Sequence, residues 1–192
     1  MPITEMPRSK EYLHRIRERL RDDKVSHCIF TAEYLASFSP SLDIDHDEAI
    51  AAGLLHDYCR NLKKNELLKQ ARIFRLPLSD SQIENPALLH GPVAAKICQK
   101  QFGISANVYE AIYWHTTGRP ALGILGQALY VADFSEPTRK FPEAAKARQQ
   151  LRVSGFASAL LYVAEMKFTF CQMKKVIDPN TQAFLLWLRN QN

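Results

Sequence analysis

The sequence predicts an all-α protein, and three observations carry the prediction. Apolar residues recur at three- and four-residue intervals along most of the chain, no stretch alternates every second residue with β-branched side chains, and proline and glycine breakers fall at helix-length intervals. A charged helix over residues 9–21 comes first, with His14 on its solvent face. Over residues 24–39, Val25, Cys28, Ile29, Ala32, Leu35 and Ala36 form the stripe of a helix facing a core. Residues 49–55 are apolar on all sides, which predicts a helix surrounded by others, with Asp45 or Asp47 placed to cap its N-terminal end. Further stripes are Val108, Ala111, Ile112 and His115, then Leu122, Leu125, Leu129 and Ala132. A seam of Phe156, Ala159, Leu160, Val163, Met166, Phe170 and Met173 follows near the C-terminus. Breakers at Pro40, Pro77, Pro86, Gly91 with Pro92, Gly118 with Pro120, Pro137 and Pro179 divide these into about eight helices. Residues 138–146 read as a joint between a main helical part and C-terminal helices.

Composition narrows the class. With 192 residues, 46% hydrophobic and 23% charged, and only 7 Gly and 10 Pro, the chain has an ordinary soluble core and is neither low-complexity nor disordered. Residues 1–10 lack the apolar stretch of a signal peptide and no run is long enough to cross a bilayer, so a cytoplasmic protein without a membrane partner is expected. Cys28, Cys59, Cys98 and Cys171 lie tens of residues apart and read as reduced thiols. A net charge of +5 favours anionic partners, but the basic residues are scattered, so no nucleic acid is expected.

His56 and Asp57 follow directly on the all-apolar helix, where an unpaired carboxylate would cost several kcal/mol. A second His-Asp pair, His46 and Asp47, stands in an acidic polar stretch at the start of the same helix and reads as solvated capping, so the dipeptide alone decides nothing. Company decides it. His27 lies near the start of its helix, His90 ends an apolar approach to the Gly91 break, His115 occupies an inward stripe, and Asp133 closes an apolar helix. Each alone reads as a hydrogen-bonded structural residue, whereas one metal cluster would satisfy all six together. Six His and Asp side chains with no thiolate suit two divalent first-row ions better than a tetrahedral structural zinc.

The ordered set His27, His56, Asp57, His90, His115 and Asp133 resembles the HD-domain metal-dependent phosphohydrolases. Four strings narrow the resemblance: Ala-Gly-Leu-Leu-His-Asp at 52–57, Leu-Leu-His-Gly at 88–91, His-Thr-Thr-Gly at 115–118, and Tyr-Val-Ala-Asp at 130–133 followed by Glu136, Pro137 and Arg139. They look like the YqeK-like branch, the symmetrical bis(5'-nucleosyl)-tetraphosphatases, over residues 24–139. The chain departs from the family pattern in reading His-Cys at 27–28 for His-Ser, and Ala-Asp-Phe-Ser-Glu-Pro at 132–137 for Ala-Asp-Lys-Ile-Glu-Pro. No ligand is lost, but a basic position becomes Phe134.

The resemblance implies a single HD-type helical bundle over residues 1–192, its motif-bearing core at 24–139 and its helices over 140–192 completing the core or mediating association, with a homodimer possible. It implies two divalent metal ions, iron first and manganese or another first-row metal next. Asp57 would bridge them, with His27, His56 and Asp133 on one ion and His90 and His115 on the other. Asp57 and His56 would be catalytic, and a hydroxide between the ions would attack. Lys24, Arg60, Thr117, Gly118 and Arg139 would hold the phosphates of a nucleotide polyphosphate. The implied reaction is cleavage of diadenosine tetraphosphate at its central anhydride into two ADP. Two alternatives stay open on the residues alone: an HD-type phosphohydrolase for a 5'-nucleotide, cyclic nucleotide or guanosine polyphosphate, and a helical binding module without activity.

Overall fold

A computed structural model describes residues 7–191, and residues 1–6, most of the stretch read above for a leader, lie outside them. Eleven α-helices and no strand are found among the described residues, so the all-α expectation holds. In chain order they are α1 (Pro7–Arg19), α2 (Asp22–Phe38), α3 (His46–Leu55), α4 (Lys64–Ile73), α5 (Asp80–Glu84), α6 (His90–Phe102), α7 (Ala106–Trp114), α8 (Ile124–Ser135), α9 (Pro142–Ser154), α10 (Phe156–Lys174) and α11 (Pro179–Arg189). Two 3-10 turns, Ser39–Leu42 and Pro86–Leu89, fill connections.

The central helix is α3. Asp45 caps it by accepting a hydrogen bond from the Glu48 amide at 2.9 Å, and Ala49 through Leu55 are all buried. Its neighbours are α1, α2, α7 and α8. The approach to α2 is so close that a Cβ on Gly53 would lie 2.4 Å from the Cα of Ala32. Glycine is thus what lets the helices bearing His27 and His56 meet.

Helix α8 is buried on opposite faces. Leu125, Ala128, Leu129 and Ala132 join the core built from α1 to α7, while Tyr130 and Val131 pack into a second core with α9, α10 and α11. Asp133, in its last turn, therefore stands where the two cores meet.

Three expectations need correction. The count of about eight misses one-turn elements such as α5, whose five residues show no periodicity, and misses α9, which takes up most of the joint expected over 138–146. Gly91 and Pro92 do not break a helix; they lie in the first turn of α6, where the amide that proline lacks has no intrahelical partner. Of the C-terminal seam, Ala159, Leu160 and Val163 are buried, Phe156 and Met166 are half-buried, and Phe170 and Met173 are exposed.

Candidate metal centre

Three of the histidines are placed by one local device. His56 follows the last residue of α3, His115 follows that of α7, and His90 follows the 3-10 turn Pro86–Leu89. In each, Nδ1 hydrogen bonds the carbonyl three residues back: Gly53 at 2.8 Å, Ile112 at 2.8 Å and Ala87 at 2.6 Å. A carbonyl only accepts, so Nδ1 carries the proton and donates, and Nε2 is left with its lone pair. The fourth, His27, sits on the first turns of α2, where its Nδ1 faces the buried Glu136 carboxylate at 3.3 Å. The same tautomer follows, and Glu136 is itself fixed by the Thr138 amide and hydroxyl at 2.6 and 2.7 Å.

The four Nε2 atoms converge. His27 and His56 are 3.2 Å apart at Nε2, and His90 and His115 are 2.9 Å apart. Asp57 lies between the pairs, its Oδ1 at 3.2 Å from His90 Nε2 and 3.8 Å from His115 Nε2, its Oδ2 at 3.8 Å from His56 Nε2. Asp133 Oδ1 is 3.1 Å from His27 Nε2 and 3.7 Å from His56 Nε2. Two sets of donor atoms result, His27 with His56 and Asp57, and Asp57 with His90 and His115, each gathered within 4.8 Å. Asp57 belongs to both.

Lone pairs facing one another at 2.9 and 3.2 Å, in company with two carboxylates, repel unless a cation stands among them. Protonation is a poor answer. Burial pushes the imidazoles of His56 and, more strongly, His115 below their ordinary range. Burial works to raise Asp57, but His56, His90 and His115 outweigh it and keep the carboxyl below its usual range. Neutral imidazoles and ionised carboxylates are the donors that divalent first-row metals take, so the residues fit a metal ion. Their outer partners, three carbonyls and Glu136, are those that orient ligating histidines in metal sites.

The other sequence-predicted residues divide. The Arg139 guanidinium reaches the centre, with Nη2 at 3.1 Å from Asp133 Oδ1 and 3.2 Å from His27 Nε2, and Nε donating to the Asp133 carbonyl at 3.2 Å. Thr117 is buried and its hydroxyl donates to the Gly118 carbonyl, while its neighbour Thr116 places Oγ1 3.3 Å from His90 Nε2 and 3.1 Å from His115 Nε2. Gly118 has φ +68, and a Cβ there would lie 2.2 Å from the Phe184 ring, so the loop admits no other residue without strain. Lys24, half-buried, lies one turn before His27, and Arg60, exposed, gives its amide to the Asp57 carbonyl at 2.8 Å. His46 and His14 are exposed, and His14 pairs with Glu18.

Two residues at the centre are absent from the sequence reading. Thr116 is visible there only as a letter in the His-Thr-Thr-Gly string. Lys167, on α10, places its ammonium 3.5 Å from Asp133 Oδ2, and burial lowers its pKa against the pull of that carboxylate. It had a signal: it stands four residues after Val163 and three after Ala164, on a buried stripe where a lysine needs an anionic partner. Asp133, for its part, is held ionised against burial mainly by Lys167 and by His27. Position 134, where the resemblance expects a basic residue, turns its phenyl ring edge-on to Phe141, and the cations beside Asp133 come from Arg139 and Lys167.

Comparison with known proteins agrees with the geometry. The HD domain model matches residues 25–146. The symmetrical bis(5'-nucleosyl)-tetraphosphatase of Bacillus subtilis is 28% identical over 93% of this chain and 96% of its own. That of Halalkalibacterium halodurans is 31% identical over 73% of this chain and 75% of its own. Among solved structures, a predicted HD superfamily hydrolase involved in NAD metabolism from Clostridium acetobutylicum superposes with a TM-score of 0.90 at 25% identity, covering 95% of this chain and 97% of that one. No helix among the described residues is long and apolar enough to cross a membrane. A cluster of four imidazoles and two carboxylates on this helical scaffold, with a family model spanning it and relatives of matching length, makes the chain a member of the HD-domain family, related within it to the symmetrical bis(5'-nucleosyl)-tetraphosphatases.

Proposed function

We propose that this protein hydrolyses dinucleoside tetraphosphates symmetrically, cutting diadenosine tetraphosphate at its central anhydride into two ADP, with two divalent metal ions, iron foremost. The observation that carries the proposal is the sharing of Asp57 by two sets of imidazole donors, an arrangement that supports a pair of cations. The substrate rests on the relatives, three of which, from Bacillus subtilis, Halalkalibacterium halodurans and Staphylococcus aureus, bear the name of that activity.

His27, His56 and Asp133 would hold one ion and His90 and His115 the other, with Asp57 a ligand common to both sets. Bound there, the pair supplies a water acidified toward neutral pH and positive charge against the phosphoryl oxygens during in-line displacement. The chain's own residues do the rest. The carbonyls of Gly53, Ala87 and Ile112 hold three imidazoles in the ligating tautomer, and Glu136 does so for His27. Arg139, about one-third exposed, offers the guanidinium faces not used by Asp133 to a phosphate. On this reading Lys24, Arg60, Thr117 and Gly118 hold the rest of the polyphosphate. A nucleoside diphosphate leaves as a stable anion, so no strong protein acid is needed at the leaving oxygen. That α8 contributes to both cores supports reading the chain as a single domain, and on this reading the cytoplasm, where nucleotides and reduced thiols coexist, is its place of work.

Incubating purified, metal-loaded protein with diadenosine tetraphosphate and resolving the products tests this. ADP alone is expected. AMP with ATP would mean asymmetric cutting, and no turnover with iron, manganese or cobalt would remove the reading.

A further inference from the structure

The carboxylate of Asp133 is divided between two environments, and the division is made from outside the stretch that the family model matches. Its Oδ1 faces His27 and His56 at 3.1 and 3.7 Å, on the donor side of the centre. Its Oδ2 faces Lys167, whose Nζ is 3.5 Å away. Lys167 comes from α10, beyond residue 146, and is mostly buried. Its ammonium also donates to the carbonyl of His115 at 3.0 Å and lies 3.7 Å from the centre of the Tyr130 ring. An ammonium has three donors. A carboxylate, a carbonyl and an aromatic face occupy them, so none is spare for a phosphate. The other cation of the centre, Arg139, bonds Oδ1 and not Oδ2.

We propose that Lys167 is a positioning residue that claims Asp133 Oδ2, so that Asp133 presents a single oxygen to the metal centre and the centre binds its ions less tightly than its donors alone would allow. The inference rests on the metal-centre reading above. The ammonium acts in two ways, both from the contacts named: it fixes the rotation of the carboxylate, and it sets one positive charge beside a site for cations. By tying the His115 backbone to Asp133 it also links the two ligand sets through α10, which gives the C-terminal helices a part in the centre. The effect on affinity has a definite sign. With His27 still facing Oδ1 and holding the carboxylate ionised, taking the cation away frees the second oxygen and removes a repulsion, so metal binding tightens.

Tightening is what a merely structural role cannot produce, since a damaged site binds metal more weakly. The test is titration of chelator-stripped full-length protein with manganese, followed by calorimetry, for wild type, Lys167→Met, Lys167→Gln, Lys167→Arg and Asp133→Ala. Removing a unit charge from beside a bound dication, at the effective dielectric of a protein, shifts affinity by about tenfold or more. A gain of about that size is expected in Lys167→Met and Lys167→Gln, with a lower kcat at unchanged KM for the tetraphosphate. Lys167→Arg, which keeps the charge, should bind manganese within about threefold of wild type. Lys167→Gln keeps a donor for the His115 carbonyl, so it reads the charge even if Lys167→Met folds poorly. Unchanged or weakened binding in Lys167→Gln overturns the proposal while leaving the metal centre standing. Wild-type protein that takes up no metal, or Asp133→Ala that takes it up as wild type does, sinks the metal-centre reading instead.

Discussion

Gly53 is where fold and site share one atom's worth of space. Replacing it with alanine adds a Cβ that would stand 2.4 Å from the Cα of Ala32, 2.7 Å from its amide nitrogen and 2.8 Å from its Cβ. Carbon atoms in contact keep about 3.5–4.0 Å, so α2 must withdraw from α3 by about 1 Å. The neighbour is backbone and cannot rotate away. Overpacking of this kind costs about 1–3 kcal/mol, and rigid backbone puts it at the upper end. Alanine returns about 1 kcal/mol through helix propensity. The net is a loss of roughly 2 kcal/mol, a fall in Tm of about 4–8 °C for a chain of this size. The same displacement acts on the centre, because the Gly53 carbonyl accepts from His56 Nδ1 and Ala32 lies on the helix of His27, whose Nε2 is 3.2 Å from that of His56. Metal affinity should fall about 10–100-fold along with Tm. Thermal unfolding in chelator gives the first quantity and manganese titration the second. A Gly53→Ala protein with wild-type Tm and wild-type affinity would refute the claim that the α2–α3 contact sets the ligand geometry.

Three further outcomes follow. His56→Ala and Asp57→Ala should each lower metal content and tetraphosphate hydrolysis together, by at least about 100-fold in turnover, whereas His46→Ala, on an exposed residue, should leave both at the wild-type level; metal analysis and a product assay on the same preparations decide it. In chelator, stability should fall as pH drops through and below about 6.5. His56 and His115 are pushed down in the folded protein, so the unfolded chain binds more protons there, at about 1.4 kcal/mol per pH unit for each proton; a urea midpoint that stays flat from pH 7.5 to 5.5 would contradict the burial argument. Arg139→Ala should lower kcat/KM about tenfold or more, and Arg139→Lys should recover little, because a point charge cannot span Asp133 Oδ1 and its carbonyl as the guanidinium does; full recovery by lysine would show that charge alone suffices.

The sequence made the candidate ligands legible for a physical reason. A polar side chain at the end of an all-apolar segment must have a partner, and His56, His90, His115 and Asp133 all stand at such ends. Periodicity also separated His56 from His46, since one ends the buried run and the other opens it among acids. What periodicity does not hold is direction. That three imidazoles turn Nδ1 to the carbonyl three residues back, and so turn Nε2 inward, depends on backbone carbonyls that no letter of the sequence encodes. The same gap explains Thr116 and Thr117, adjacent in a string and separated by which one the loop turns toward the imidazoles.

The signal that Lys167 carried is of a weaker kind. A lysine on an apolar stripe is ordinarily a long stem with its charge in water, and only the closing of α10 over α8 brings its ammonium to an acid 34 residues earlier in the chain. The second core is thus more than support. It buries the Tyr130 ring that Lys167 rests on and carries the helix that supplies the charge, so the properties of the centre depend on residues outside the stretch where its ligands lie. Substitutions in α10 that leave every ligand intact should therefore alter metal affinity, and those that reposition Lys167 should alter it most.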